Sequence, residues 1–135
     1  MKNIFCFTVC AMIVAGLFSC NKDSGLLPKI AFKTGGNYIS ASASKAVKST
    51  FTIGIDAQKA ESADVLKKFN VSKSVNGAAS ATIFSKDLSG AEGDAYSYDY
   101  SATVDSTVGQ ASKYTFTVTN RDGLVNQVTL TLTGQ

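Results

Sequence analysis

Through much of the stretch from Phe51 to Thr133 the chain switches between apolar and polar at every second residue, and this period of two constrains its fold more than any other feature. Phe51, Ile53, Ile55 and Ala57 alternate with Thr52, Gly54 and Asp56. Tyr96, Tyr98 and Tyr100 alternate with Ser97, Asp99 and Ser101. Tyr114, Phe116 and Val118 alternate with Thr115, Thr117 and Thr119, and Val128, Leu130 and Leu132 with Thr129, Thr131 and Thr133. Successive side chains of a strand point to opposite faces, so each run predicts a strand with one dry and one wet face. Phe69, Val71 and Val75 make a further run, in which Lys73 falls in the apolar phase and marks a strand end or a bulge.

Weaker signals fill the gaps. Ile30 to Phe32 and Tyr38 to Ala43 read as a first strand split around Gly35-Gly36, with Ser40 to Ser44 small enough for an edge. Ala81 to Lys86 is strand-like, but the adjacent Ile83 and Phe84 leave its phase open. Asn76-Gly77 predicts a two-residue hairpin turn, because both central positions of a type I′ turn need positive φ. Asn120 to Gly123 predicts a slightly longer hairpin with Gly123 left-handed. Between Ala60 and Phe69, Leu66 and Phe69 stand three apart and suit a helical turn. About seven short strands separated by turns predict an all-β, two-sheet sandwich.

A chain of 135 residues has room for one such domain. At 44% hydrophobic and 17% charged residues, it has the apolar content to bury a core. The net charge of +3 is modest and dispersed: Lys67-Lys68 is the one adjacent basic pair and Arg121 the one arginine. That pattern excludes the clustered basic face of a nucleic-acid binder. The sequence has no histidine, which removes the usual general base and metal ligand. All three cysteines, Cys6, Cys10 and Cys20, lie in the first twenty residues, so the remainder cannot staple itself with disulfides.

Those first residues are a separate piece. Lys2 precedes an apolar run from Ile4 to Phe18, shorter than the ~20 residues that span a bilayer and proportioned like a secretory signal. Leu17 at −3, Ser19 at −1 and Cys20 at +1 resemble the lipobox of bacterial lipoproteins. The resemblance implies a signal peptide over 1–19, recognised through Leu17 and Ser19, with acyl chains on Cys20 anchoring the mature protein in the outer membrane. Phe18 departs from the small residue often found at −2. Two or three acyl chains suffice for stable anchoring, at ~0.8 kcal/mol per buried methylene. The following "CNKDSG" is similar to the export tags of Bacteroidetes-type surface lipoproteins, with Lys22 and Asp23 as the matching residues. Surface display is thereby favoured over a periplasmic face. Residues 20–28 form the lipidated cysteine and a tether ending in Pro28, the one proline, with a reach of roughly 30 Å.

Residues 29–135 form the sandwich. Within them "KYTFTVTNRDGLVNQVTLTLT", Lys113 to Thr133, resembles the last two strands of immunoglobulin-like domains of bacterial envelope proteins. Tyr114 stands two residues before Phe116, as a tyrosine corner stands before the second cysteine of antibody domains. Phe116 and Ile53 or Ile55 take the places of the cysteines, and tryptophan is absent. These departures fit a bacterial Ig-like or polycystic-kidney-disease-like module, with a Greek-key strand order.

No pattern of catalytic residues emerges. Glu61 and Glu92, the only glutamates, fall in loops, and Asp94 and Asp99 are the nearest thing to a carboxylate pair. The glycines of Ser89 to Asp94 lack the lysine-serine pair of a phosphate loop. Asp94, Asp99, Asp105 and Asp122 suit calcium by residue type alone, in no recognised spacing. No cofactor or metal is expected. Tyr96, Tyr98 and Tyr100 share a face that serves either core packing or sugar stacking, and packing is favoured because it is the only apolar face of that strand. Asn70-Val71-Ser72 fits a sequon but lies in a strand. Asp105-Ser106-Thr107 resembles the O-glycosylation motif of Bacteroidetes exported proteins, with Ser106 as acceptor. The expectation is a non-catalytic envelope or surface lipoprotein binding a protein partner. The alternatives are a glycan-binding accessory of a polysaccharide-uptake system and a structural envelope component without a specific ligand.

Overall fold

The computed structural model describes residues 25–135. They form eight strands: β1 (Lys29–Phe32), β2 (Ala43–Lys45), β3 (Thr50–Gln58), β4 (Leu66–Val75), β5 (Ala81–Asp87), β6 (Ala95–Thr103), β7 (Ala111–Asn120) and β8 (Val125–Gly134). One sheet has the order β1-β3-β6 and the other β2-β8-β7-β4-β5. The chain is thus an all-β, two-sheet sandwich. Neighbours are antiparallel, except that β2 runs parallel to β8.

The alternating runs face as their pattern dictates. Phe51, Ile53, Ile55 and Ala57 of one sheet meet Phe69, Val71, Tyr114, Phe116, Val118, Leu130 and Leu132 of the other, all buried. Removing a large aliphatic or aromatic side chain of this kind from water contributes ~1.5–3 kcal/mol, so this core holds the sheets together. The first strand is split as expected, with Gly35 and Gly36 at positive φ between its halves. Its second half is shifted, however. Tyr38 makes a single bridge to Thr52, and the strand proper is Ala43–Lys45 on the edge of the other sheet. Asn76-Gly77 has the successive positive φ values of the predicted turn, 48° and 74°, but β5 begins only at Ala81, so the connection is a five-residue loop rather than a two-residue hairpin; Gly123 has φ of 79°.

Three expectations are corrected. No helical turn occupies Ala60 to Phe69: β4 begins at Leu66, and a register shift against β7 between Leu66 and Lys68 turns both Leu66 and Phe69 inward although they are three apart. A second shift places Val71 opposite Phe84 and Ser72 opposite Thr82, skipping Ile83. It resolves the phase of β5, with Phe84 packing against the core and Ile83 exposed. Beyond Val71 on β4, Ser74 is buried and Val75 only half-buried, while Lys73 keeps an inward position rather than ending the strand. Finally, the tether is docked from Gly25 onward. Pro28 is fully buried, its carbonyl accepts a 2.8 Å hydrogen bond from Asn126, and Glu61 accepts the Leu26 amide at 3.4 Å.

The strand directions sort the loops. The docked segment 25–28 shares its end of the sandwich with loops 59–65, 88–94 and 121–124, tied by Arg121 N–H to Val65 O (2.9 Å) and Lys59 N–H to Asp94 O (3.1 Å). Loops 46–49, 76–80 and 104–110 form the other end, tied by Lys48 N–H to Val104 O (3.0 Å) and Asn76 N–H to Ala111 O (2.8 Å).

Candidate functional site

Among the described residues β5 and β6 are the outer strands of their two sheets on the same side of the sandwich, each paired along one edge only. Unpaired edges are where another chain can attach, and proteins usually blunt them with charges or bulges. Both devices appear on β5: the shift at Ile83, and Lys86, ion-paired with Glu92 of the 3-10 turn Gly90–Gly93. The gap between the edges is closed by aromatics. Phe84 stacks on Tyr98 at 4.6 Å between centroids, Tyr96 lies 6.3 Å beyond in nearly parallel orientation, and Phe69 packs beneath both tyrosines at 5.2 and 5.3 Å. The Lys86 amine stands 5.2 Å from the centre of the Tyr96 ring. Burial pushes the Tyr96 and Tyr98 phenols above their ordinary value, and the Glu92 carboxylate pushes Lys86 up. Tyr100 turns instead to Tyr114 (5.5 Å) and Phe51 (6.1 Å). Tyr114, read as a tyrosine-corner residue, is a packing residue of the core centre, its phenol pushed up by burial to about 12.

Each end of the core is closed by an aspartate reaching β7. At the docked end, buried Asn120 donates to Asp64 at 2.7 Å, and its carbonyl oxygen accepts the amides of Asp122 and Leu124 at 3.1 and 2.8 Å. The other Asp64 oxygen accepts the Val65 amide at 2.7 Å. At the far end, Asp105 accepts from Lys73 at 2.8 Å and Ser112 at 2.6 Å. These two donors hold its carboxyl below the usual range. A third polar cluster lies on the outer face of the smaller sheet, where Asp99 accepts from Lys33 at 2.6 Å and Tyr38 at 2.9 Å.

The calcium candidates are therefore not brought together. Asp94 pairs with Lys59, Asp99 with Lys33, Asp105 with Lys73 and Asp122 with Arg121. Among the described residues no group of three or more His, Cys, Asp or Glu is placed to hold a metal ion. Asp94 and Asp99, the nearest to a carboxylate pair, have separate cationic partners. Ser106 sits exposed in the loop between β6 and β7, beside Asp105. Leu17, Ser19, Cys20, Lys22 and Asp23 lie outside the described residues. The alternation did not point to Phe84, Lys86 and Glu92, since the shift at Ile83 conceals the phase of β5. Gly54 in mid-strand was the available signal for the Lys33–Tyr38 cluster, because a glycine there often marks a close approach.

A shallow groove of about 510 Å³ lies on the outer face of the larger sheet, lined in part by Ser72, Lys113, Thr115 and Gln127.

No protein-family model matches the chain, and no curated protein matches it either. Among solved structures, it is similar to a superoxide reductase (neelaredoxin) from Ignicoccus hospitalis, with a TM-score of 0.53 at 6% identity over 82% of this chain and 81% of that one. A single-substitution variant of that reductase gives 0.52 at 6% identity, over 81% and 80% of the two chains. The sporulation control protein Spo0M from Bacillus subtilis gives 0.47 at 8% identity, over 81% of this chain and 50% of that one. At such identity the likeness to the first two is one of fold alone. Among the described residues no helix is long and apolar enough to cross a membrane.

Proposed function

We propose that this protein is a non-catalytic lipoprotein of the outer membrane, of the Bacteroidetes type, which holds one Ig-like sandwich close to the membrane and binds a protein partner. The observation that carries the binding is the open side, where the edges of β5 and β6 lie free on either side of a half-exposed aromatic row. A protein partner fits this side better than a glycan. Sugars stack on open ring faces, whereas Phe84, Tyr98 and Tyr96 turn their faces to one another and Lys86 stands over Tyr96. A free strand edge offers main-chain hydrogen bonds to an extended segment of another protein. The Ig-like reading is supported by the strand order, in which the last strand of the chain lies between its predecessor and a short parallel β2.

The anchor reading rests on Leu17, Ser19 and Cys20, and the surface reading on Lys22 and Asp23. Crosslinking in cells through a photoreactive group at Ser85 or Ser97, followed by capture, is expected to yield one dominant protein partner. Recovery of no protein, together with a positive glycan array, overturns this reading in favour of the carbohydrate accessory. Mass spectrometry of the membrane-extracted protein is expected to show an acylated amino-terminal Cys20, and protease shaving of intact cells to digest the domain.

A further inference from the structure

Five large hydrophobic residues are well exposed among those described, and they are not evenly spread. Leu26 (57% exposed), Leu27 (54%) and Val125 (48%) gather at the docked end, while Ile83 lies on β5 and Val108 (70%) in the loop 104–110 at the opposite end. The backbone presenting the first group is fixed. Glu61 accepts the Leu26 amide, Asn126 holds the Pro28 carbonyl, and the Leu124 side chain lies beside Gly25. These leucines therefore project from a held segment.

With the tether docked from Gly25, only five steps separate Gly25 from Cys20, which span at most about 18 Å against the roughly 30 Å of a free tether. A lipid-bearing Cys20 keeps this end of the sandwich within that shorter distance of the headgroup layer, close enough to touch it. Leucine side chains there lose apolar surface to the acyl boundary, as on interfacial helices.

We infer that Leu26, Leu27 and Val125 form a membrane-contacting rim that seats the sandwich end-on upon the lipid surface. The free edges of β5 and β6 then stand roughly along the membrane normal, and the Ser106 loop points away. The inference rests on acylation at Cys20 and goes beyond it, since an anchor alone leaves the domain free to tumble.

The test uses the full chain, acylated by its host and reconstituted in phosphatidylethanolamine–phosphatidylglycerol vesicles. Cys20 is the only cysteine after cleavage and its thiol carries lipid, so a cysteine introduced as Val125→Cys or Val108→Cys is the single site for an environment-sensitive dye. The Val125 dye is expected to shift to the blue and lose emission to doxyl-labelled lipid, and the Val108 dye to do neither. Adding Leu26→Ser and Leu27→Ser is expected to abolish the Val125 response while leaving acylation and circular dichroism unchanged. Equal responses of the two dyes on a chain with acylated Cys20 overturn the rim and leave the anchor standing. A chain without acyl groups overturns both.

Discussion

Gly54 and Asp99 are register partners in the β3–β6 ladder, and the missing side chain of the first makes room for both groups that bind the second. A Cβ on Gly54 would stand 2.6 Å from the Lys33 side chain and 2.7 and 2.8 Å from the Tyr38 ring. The ring and the lysine stem lie flat over β3 and reach the carboxylate across the strand.

Gly54→Ala is expected to destabilise the domain by about 1–3 kcal/mol, the usual cost of overpacking. Strand preference alone predicts the opposite sign, since alanine in a strand is better than glycine by roughly 0.5–1 kcal/mol. Urea denaturation decides, and a more stable variant refutes the close approach. Adding Tyr38→Ala should recover part of the loss.

The acid limb of stability should depend on Asp99 and Asp105. Lys33 is the main cause holding Asp99 below its ordinary 3.8, and Lys73 that for Asp105. A depressed folded pKa gives stability that is present above about 3.8 and is lost as pH falls through the folded value. Asp105→Asn should flatten this limb in denaturation curves taken from neutral to acid pH. On the alkaline side Lys33, raised by Asp99, and Tyr114, at about 12, have folded values above their unfolded ones. Their contribution is complete below pH 10 and fades above it.

Asn120→Ala should cost roughly 2–4 kcal/mol, because Asp64 loses a buried donor and two backbone amides lose their acceptor. Asn120→Asp is the sharper test. It sets two carboxylates in contact, so thermal stability should fall at neutral pH and recover on acidification, when one of them takes a proton. A pH-independent loss would mean that Asn120 does not face the Asp64 carboxylate.

Phe84→Ala should cost roughly 2 kcal/mol, less than the ~3–5 of a fully buried phenylalanine, since Phe84 is half-buried. Opening the gap wets Tyr98, whose phenol is raised by burial, so its pKa should drop toward the ordinary value. Ultraviolet titration of the phenolates against the parent checks this.

Much of this was legible in the residues. Wherever a strand keeps register with its neighbours, as β3, β6 and β8 do, alternation names the inward row directly. Asn76-Gly77 announced its turn because few other residues tolerate two successive positive φ values. Legibility failed where an extra residue slips the phase. The shift beside Leu66 imitates helical spacing, and the one at Ile83 hides that Phe84 points inward. Lys73 misled for another reason: an inward lysine reads as an error until Asp105, 32 residues away, arrives to pair with it. Such partners meet only in the folded chain, and no local pattern announces them.

The burial of Pro28 has a mechanical side. Because its carbonyl is held by Asn126, the chain enters the domain at a fixed point rather than through a swivel. A pull on the chain that acts along β1 loads a ladder in which its four residues lie antiparallel to Gln58 through Ile55. Ladder bonds pulled along their strand share the force and must yield together, whereas a strand peeled from one end gives them up singly. Pulled along β1, the entry point is therefore a clamp loaded in shear.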